Sequence, residues 1–371
     1  MPRLPSLPQE IISEIFTRLP AKCIGRYRCL SKSWCHLLSE LHFINRHIAQ
    51  TRLFTDNELF MLNSTNSNTL YSGTIVRHSY GEMTVLATEL NFVVSPKCRV
   101  WGTSSCDGLI LLIENAKSDS LLVNPTTKEV RELNIPSHDL DVYPRVTTYG
   151  LGYDHVNDDY KVVLVSSYSL EHEPKMFANV YSVRNGSWKQ LETSPYHHVS
   201  PGVFVGGSIH WIALNPSDYL NFGNPAYYSY FIAGFDLTTE KFWKVPAPSS
   251  MFDEASEYYN LGILGECLCM FSSVSEKKIN IWVMKEYGVM ESWTKFSIVD
   301  EQGSKLMPLK GVMGQRELVM MKDDFTPYER LSMHNLDTAT FQDMKVKGIN
   351  EGFNLGWSFK ETLVSPYYKY N

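Results

Sequence analysis

The chain has 371 residues, of which 43% are hydrophobic and 20% charged, and a net charge of −6. Such a chain is globular and long enough to bury a large core. Residues 1–50 hold seven Lys/Arg against three acids, +4, which leaves −10 for the remainder. An acidic main body argues against a nucleic-acid partner, whereas a small basic module suits an acidic protein. No apolar run reaches the ~18 residues of a membrane span. No apolar stretch with a small-residue cleavage site opens the chain. The seven cysteines form no paired framework. These features lead us to expect a reduced chain in the cytoplasm and/or nucleus, without a membrane span.

Three helices are legible in residues 6–48. Ser6 and Gln9 have capping-box spacing. Ile11, Ile12, Ile15, Phe16 and Leu19 form one apolar stripe. Pro20 ends that helix and suits the first turn of the next, which carries Ile24, Tyr27 and Leu30. Ser31 is a good N-cap for a third helix carrying Trp34, Leu37, Leu38 and Leu41. Three such helices cannot bury all their apolar faces in one another. They either cap the following domain or dock another protein.

From about residue 51 short strands alternate with turns, and a repeat is visible. "VNPTTKEV" (123–130), "YSVRNGSW" (181–188), "FDLTTEKF" (235–242) and "HNLDTATF" (334–341) share a pattern: apolar residue, Asn/Asp/Ser, polar turn, apolar residue. "WVMKEYGVMESW" (282–293) is the same hairpin with a longer turn, and "LNSTNSNTL" from Leu62 is a weaker copy. A period of about 50 residues is that of a kelch-like β-propeller, with four strands per blade. Apolar strands lie between the hairpins: "CDGLILLI", "YKVVLVSSY", "GGSIHWIAL", "GECLCMFSS", "RELVMMK" and "KETLVSP". Taken as inner strands, they predict six blades. The last, near residues 362–365, would pair near Leu59 and close the ring. The expected fold is mainly β with a small α domain: helices over 1–48 and a six-bladed propeller over 49–371.

Little in this pattern points to catalysis. Cys267 and Cys269 share a strand face, but no second pair exists to complete a zinc site. Cys23, Cys29 and Cys35 lie six apart without ligand spacing. His197 and His198 read as a solvated loop, and His210 as a structural histidine with no nucleophile beside it. "DHVNDDY" (154–160) lacks EF-hand spacing and reads as a hairpin turn with solvated charges. Trp188, Trp243 and Trp293 recur at the return strands and read as blade packing. No catalytic residue, metal ligand or cofactor is expected.

"LPSLPQEIISEIFTRLPAKCIGRYRCLSKSWCHLL" followed by "FINRH" resembles the plant F-box. "NPTTKEVREL", "YGLGYDHVNDDYKVVLV", "VFVGGSIHWIAL", "FDLTTEKFWKVP" and "IWVMKEYGVMESWTKFSI" resemble, in order, the plant F-box-associated interaction domain. The resemblance implies that residues 4–47 bind a Skp-type adaptor and, through it, cullin and RING subunits. Leu7, Pro8, Ile11, Ile15, Leu19, Pro20, Ile24, Leu30 and Trp34 would serve that interface or its support. It also implies that the propeller selects a target protein for ubiquitination and degradation. The family includes receptors implicated in plant immune-receptor turnover and in pollen–pistil recognition. Gly25 stands where relatives usually have Leu, which implies a weaker adaptor contact. Two other readings stay open: a propeller enzyme or carbohydrate-binding protein with a helical cap, and a non-proteolytic F-box adaptor. Residues 214–230, rich in Tyr and without a basic residue, read as a loop or an outer strand. Tyr219, Phe222, Tyr227 and Tyr228 there are the candidate target contacts, with packing on the next blade as the alternative.

Overall fold

The structure, a computed structural model, describes residues 8–53, 58–67, 69–91, 100–114, 119–136, 146–169, 174–191, 193–215, 218, 228–254, 256, 258–275, 277–300, 305–308, 316–323, 330–350 and 352–367. It opens with α1 (Gln9–Thr17), α2 (Ala21–Arg28), α3 (Lys32–Leu37) and α4 (Leu41–Leu53). Among the described residues the α-helices of this region number four, because the expected third one breaks before Leu41. Pro8 and Pro20 occupy the N-cap positions of α1 and α2 without a side-chain bond. Gln9 is therefore the first helical residue of α1 and cannot serve as the far end of a capping box. Ser6 lies outside the described residues. Ser31 does cap α3, its Oγ accepting from the Trp34 N–H at 3.2 Å. α4 continues past residue 48.

The strands follow in chain order: β1 (Glu58–Ser64), β2 (Leu70–Arg77), β3 (Met83–Glu89), β4 (Val100–Cys106), β5 (Leu109–Glu114), β6 (Asp119–Asn124), β7 (Glu129–Asn134), β8 (Val146–Asp154), β9 (Asp159–Ser169), β10 (Pro174–Ser182) and β11 (Ser187–Gln190). Next come β12 (His197–His198), β13 (Val203–Val205), β14 (Ser208–Leu214), β15 (Tyr230–Asp236), β16 (Lys241–Lys244), β17 (Tyr259–Leu264), β18 (Cys267–Ser275), β19 (Lys278–Met284) and β20 (Trp293–Val299). The last are β21 (Lys305–Pro308), β22 (Glu317–Asp323), β23 (Arg330–Asn335), β24 (Thr340–Lys347) and β25 (Phe353–Lys360).

Four sheets collect β4–β7, β8–β11, β12–β16 and β17–β20, and the fifth has eight strands in the order β21-β22-β23-β24-β3-β2-β1-β25. Its two halves join through the parallel pair β24–β3, Met344 opposite Met83. The edge strands β25, β4, β8, β13 and β17 meet one another in turn, which curls the sheets into a propeller-like ring. The closing strand is β25, with Phe359 opposite Leu59. It precedes the expected residues 362–365, which belong to no strand. The apolar strands expected to be buried between neighbours, such as β14 and β18, stand second in their sheets. They are the most apolar because they are covered on both faces. The innermost strands carry glycine where sheets approach: a Cβ at Gly150 of β8 would collide with Ile209 Cγ2.

The repeated hairpins join third and fourth strands. Asn124 Oδ1 accepts from the Thr126 and Thr127 amides, and Lys128 has a φ of 61°. Asp236 with Glu240, and Asn335 with Ala339, repeat the arrangement. An Asx turn followed by a left-handed residue makes this hairpin, and explains the Asn/Asp and the spacing. "LNSTNSNTL" instead joins β1 to β2, the second and third strands of its half-sheet. The core lies between neighbouring sheets; Trp211, Ile209 and Phe235 of one pack on Val163, Val165 and Ala178 of the next.

Candidate functional site

The helical module has a small core of Phe16, Ala21, Ile24, Leu38 and Phe43, closed by Leu363. Above it Ile11 and Ile15 are each 49% exposed and Leu30 is 69% exposed. Pro8 and Pro20 are exposed as well. Ile24 is wholly buried, while Leu19 and Trp34 pack at the core's edge. Trp34 meets Phe16 edge-on at 4.8 Å. The expected adaptor residues therefore divide into an exposed set, Pro8, Ile11, Ile15, Pro20 and Leu30, and a supporting set, Leu19, Ile24 and Trp34. Leu7 lies outside the described residues. Gly25 has no atom within 4 Å of where a Cβ would stand. His47 Nε2 donates to the Leu19 carbonyl at 2.9 Å; burial lowers the pKa of this ring, with the Leu19 bond opposing.

The module is docked on one end of the ring. Arg52 of α4 forms a fork on Asp107, with Nε to Oδ1 at 3.0 Å and Nη2 to Oδ2 at 2.7 Å. Ile44 and Ile48 enter the cluster of Leu109, Leu111, Tyr149 and Tyr160. A cavity of about 800 Å³ beside α4 is lined by Thr51, Arg52, Ser105, Gly206, Tyr287 and Trp357 among others. At this end His210 is satisfied on both nitrogens, by the Val203 carbonyl at 3.2 Å and the Tyr287 hydroxyl at 2.9 Å. Burial pushes it down to about 4, so it is a neutral structural histidine, as the sequence suggests.

β14 starts at Ser208, next to Gly206 and Gly207 at this cavity, and ends at Leu214. At ~3.3 Å per residue it carries the chain about 20 Å away, so Leu214 and Asn215 stand at the end opposite the helices. Tyr228 there is half-buried and meets Tyr230 edge-on at 6.1 Å. Tyr219, Phe222 and Tyr227 lie outside the described residues. Tyr230 adjoins Phe252 at 6.3 Å and Tyr259 at 4.9 Å, so half-buried rings run from β15 to β17. Phe252 and Tyr259 escape sequence reading because they come from the connection after β16 and from β17, in another part of the chain.

Two readings of the titratable groups need correction. His197 and His198 are buried, not solvated: they form β12 and pair with Leu214 and Ala213. Their bonds to Ser167 Oγ (3.0 Å) and Ser194 Oγ (2.9 Å), and the edge-on contact of His198 with Trp211, hold them inside. "DHVNDDY" is a hairpin turn, but Asp154 and Asp159 are buried. Lys161 Nζ reaches Asp154 at 3.0 Å and Glu240 of the next sheet at 3.1 Å, so the acids tie two sheets together. Cys269 is buried and Cys267 partly so. Trp188 packs on Tyr181 within its sheet, and Trp293 donates to the Pro246 carbonyl at 2.9 Å, just after β16 of the preceding sheet. Among the described residues no group of three or more His, Cys, Asp or Glu could hold a metal ion.

Two family models match: the F-box domain over residues 4–46 and the F-box associated beta propeller domain over residues 58–324. F-box protein CPR1 of Arabidopsis thaliana is 29% identical over 349 residues, 86% of this chain and 78% of that protein. F-box/kelch-repeat protein At3g23880 of the same plant is 28% identical over 298 residues, 78% of each chain. Among solved structures, TolB from Acinetobacter baumannii has a TM-score of 0.48 at 9% identity, over 85% of this chain and 71% of that one, too distant a likeness to bear on function. A helical module joined to this propeller is the architecture of non-catalytic substrate-recognition subunits of SCF ubiquitin ligases, which bind targets through the propeller. The exposed apolar helices at one end and the ring behind them thus have a common explanation: the chain belongs to the F-box proteins with an F-box associated β-propeller domain.

Proposed function

We propose that this chain holds a target protein on the end of a six-bladed propeller opposite the helices. Its helices would bind a Skp-type adaptor and, through it, the cullin and RING subunits. The count of six takes the four separate sheets together with the two halves of the eight-stranded one. The contact residues would be Pro8, Ile11, Ile15, Pro20 and Leu30 on the adaptor side, joined by Leu7. Tyr219, Phe222, Tyr227 and Tyr228 would lie on the target side. Free thiols at the six described cysteines suit the cytoplasm or nucleus. No chemistry is asked of this chain; it raises the effective concentration of target lysines near the charged conjugating enzyme.

The observation that carries the reading is the exposed Ile11, Ile15 and Leu30 set on an otherwise closed helical core. Such a patch on a small module is what a partner covers. Replacing Ile11 and Ile15 together with Ser should weaken binding of a purified Skp-type adaptor at least tenfold, about 1.4 kcal/mol or more, without lowering the melting temperature. Wild-type affinity in the double variant would reject this surface.

A further inference from the structure

Residues 361–367 follow β25 but form no strand, yet Thr362, Leu363 and Val364 are all buried. Leu363 lies in the helical module's own cluster with Phe16, Ile24, Leu38 and Phe43. Val364, the next residue, lies in the propeller cluster with Leu122, Tyr149 and Val183. Successive side chains of an extended segment point to opposite sides, so one step of backbone reaches into both domains.

Polar contacts hold the segment along its length. Asn124 Nδ2 donates to the Thr362 carbonyl at 3.1 Å and the Val364 carbonyl at 2.7 Å. Thr362 Oγ1 donates to the Asp107 carbonyl at 2.6 Å, while the Asp107 carboxylate receives Arg52 of α4. Arg131 donates to the Pro366 carbonyl at 3.0 Å, and the Tyr367 hydroxyl to the Val130 carbonyl at 2.6 Å. On the helical side Lys22 pairs with Glu361 at 2.5 Å. Gly108, at a φ of +81°, leaves no room for a Cβ, which would stand 2.6 Å from the Lys360 carbonyl oxygen.

We propose that residues 361–367 are a positioning strap. The strap completes the core of the adaptor-binding module from the far end of the sequence and locks that module to the propeller. Leu363, Val364 and Asn124 thereby set the direction in which a bound target is presented. The functional part of this inference rests on the ligase reading above. Without the strap the module would be held by α4 alone, through Ile44, Ile48 and the Arg52–Asp107 pair, and would pivot about that helix; a pivoting receptor loses the fixed geometry on which proximity depends.

The test uses the full chain, with and without a Skp-type adaptor. Nitroxide labels are placed on Cys29 and on Val299→Cys, at an exposed position, with Cys23, Cys35, Cys98 and Cys267 changed to Ser. Electron–electron double resonance then reads the spread of distances between helices and propeller. Leu363→Ser and Asn124→Asp should broaden a narrow distribution at least twofold, and Leu363→Met should restore it. Asn124→Asp keeps the oxygen that the 124–128 turn needs, removes both donations to the strap and sets a carboxylate oxygen against the Thr362 and Val364 carbonyls. In a reconstituted ligase the same variants should spread self-ubiquitination over more lysines of the propeller. Should Leu363→Ser fail to fold, Asn124→Asp decides. A distribution as narrow as wild type in Asn124→Asp, or a lysine pattern unchanged despite a broadened one, overturns the proposal. Loss of adaptor binding by the wild-type chain would instead count against the ligase reading, because the distance measurement needs no adaptor.

Discussion

Mild acid should destabilise this protein chiefly through three buried histidines, with smaller parts from His47 and His334, whose pKa burial also lowers. His197 bonds Ser167, His198 bonds Ser194 beside Trp211, and His210 lies between the Val203 carbonyl and the Tyr287 hydroxyl. Burial pushes His197 and His210 down to about 4 and His198 to about 3, His198 helped by its charged-form repulsion with His197. In the unfolded chain each would titrate near 6.5. Between those values the unfolded state binds protons that the folded state refuses, so stability is full above pH 6.5 and falls as pH drops toward 4. Each group contributes up to about 1.4 kcal/mol per pH unit in that window, and three give about 3–4 kcal/mol between pH 6 and pH 5. Against a total of about 5–15 kcal/mol for a folded domain, the loss is large. Asp154 does not share the window. Burial would raise it, but hydrogen bonds from Asn157, Lys161 and Thr238 outweigh that and hold it at about 2, so its contribution is lost only below about pH 4. Urea unfolding followed by tryptophan fluorescence at pH 7, 6 and 5 measures the slope. His197→Gln keeps a partner for Ser167 without titrating and should remove about a third of it. A loss under about 1 kcal/mol from pH 6 to 5, or an unchanged slope in His197→Gln, would refute the reasoning.

Gly25→Ala should raise the stability of the helical module by about 0.5–1 kcal/mol, because the space beside Gly25 is open; a lower melting temperature would contradict this. Gly150→Ala forces a methyl against Ile209 and should cost about 1–3 kcal/mol, read from the urea midpoint. No change there would mean that the two sheets part freely. Replacing Tyr219, Phe222, Tyr227 and Tyr228 together with Ser should reduce capture of a target from a plant extract while leaving adaptor binding intact. A fall in melting temperature in that variant would make the rings part of the core instead.

Local chemistry explains which parts of this fold are legible in the sequence. The repeat is visible because three of the hairpins use an Asn or Asp oxygen to accept two turn amides and a left-handed residue four positions on, as at Asn124 and Lys128, and the 181–188 hairpin uses the Ser182 hydroxyl and Gly186 in the same places. The helical module is visible because its stripe follows helical spacing. Errors arise where long-range packing sets the outcome. His197 and His198 look like loop residues, since nothing nearby in sequence announces Ser167, 30 positions away. Asp154 and Asp159 look solvated because Lys161 alone would not bury two acids; Glu240 and Ser182 help fix the arrangement. "KETLVSP" has the apolar content of a strand, but its leucine is used by the helices and its valine by the propeller. On the candidate faces, Ile11 and Ile15 follow from periodicity, whereas Phe252 and Tyr259 become neighbours of Tyr230 only when two sheets pack.

The place of Leu363 in the helical core has a consequence for the order in which the protein is made. The helices emerge from the ribosome roughly 300 residues before Leu363, a delay on the order of 15–60 s at typical elongation rates. Until then their core has an open side where Leu363 later sits beside Phe16, Ile24 and Leu38. A chain interrupted anywhere in the propeller would carry every residue of its N-terminal helices and still lack the side chain that closes them. Translation past Leu363 is thus itself a condition for finishing the helical module, which ties completion of that module to synthesis of the propeller.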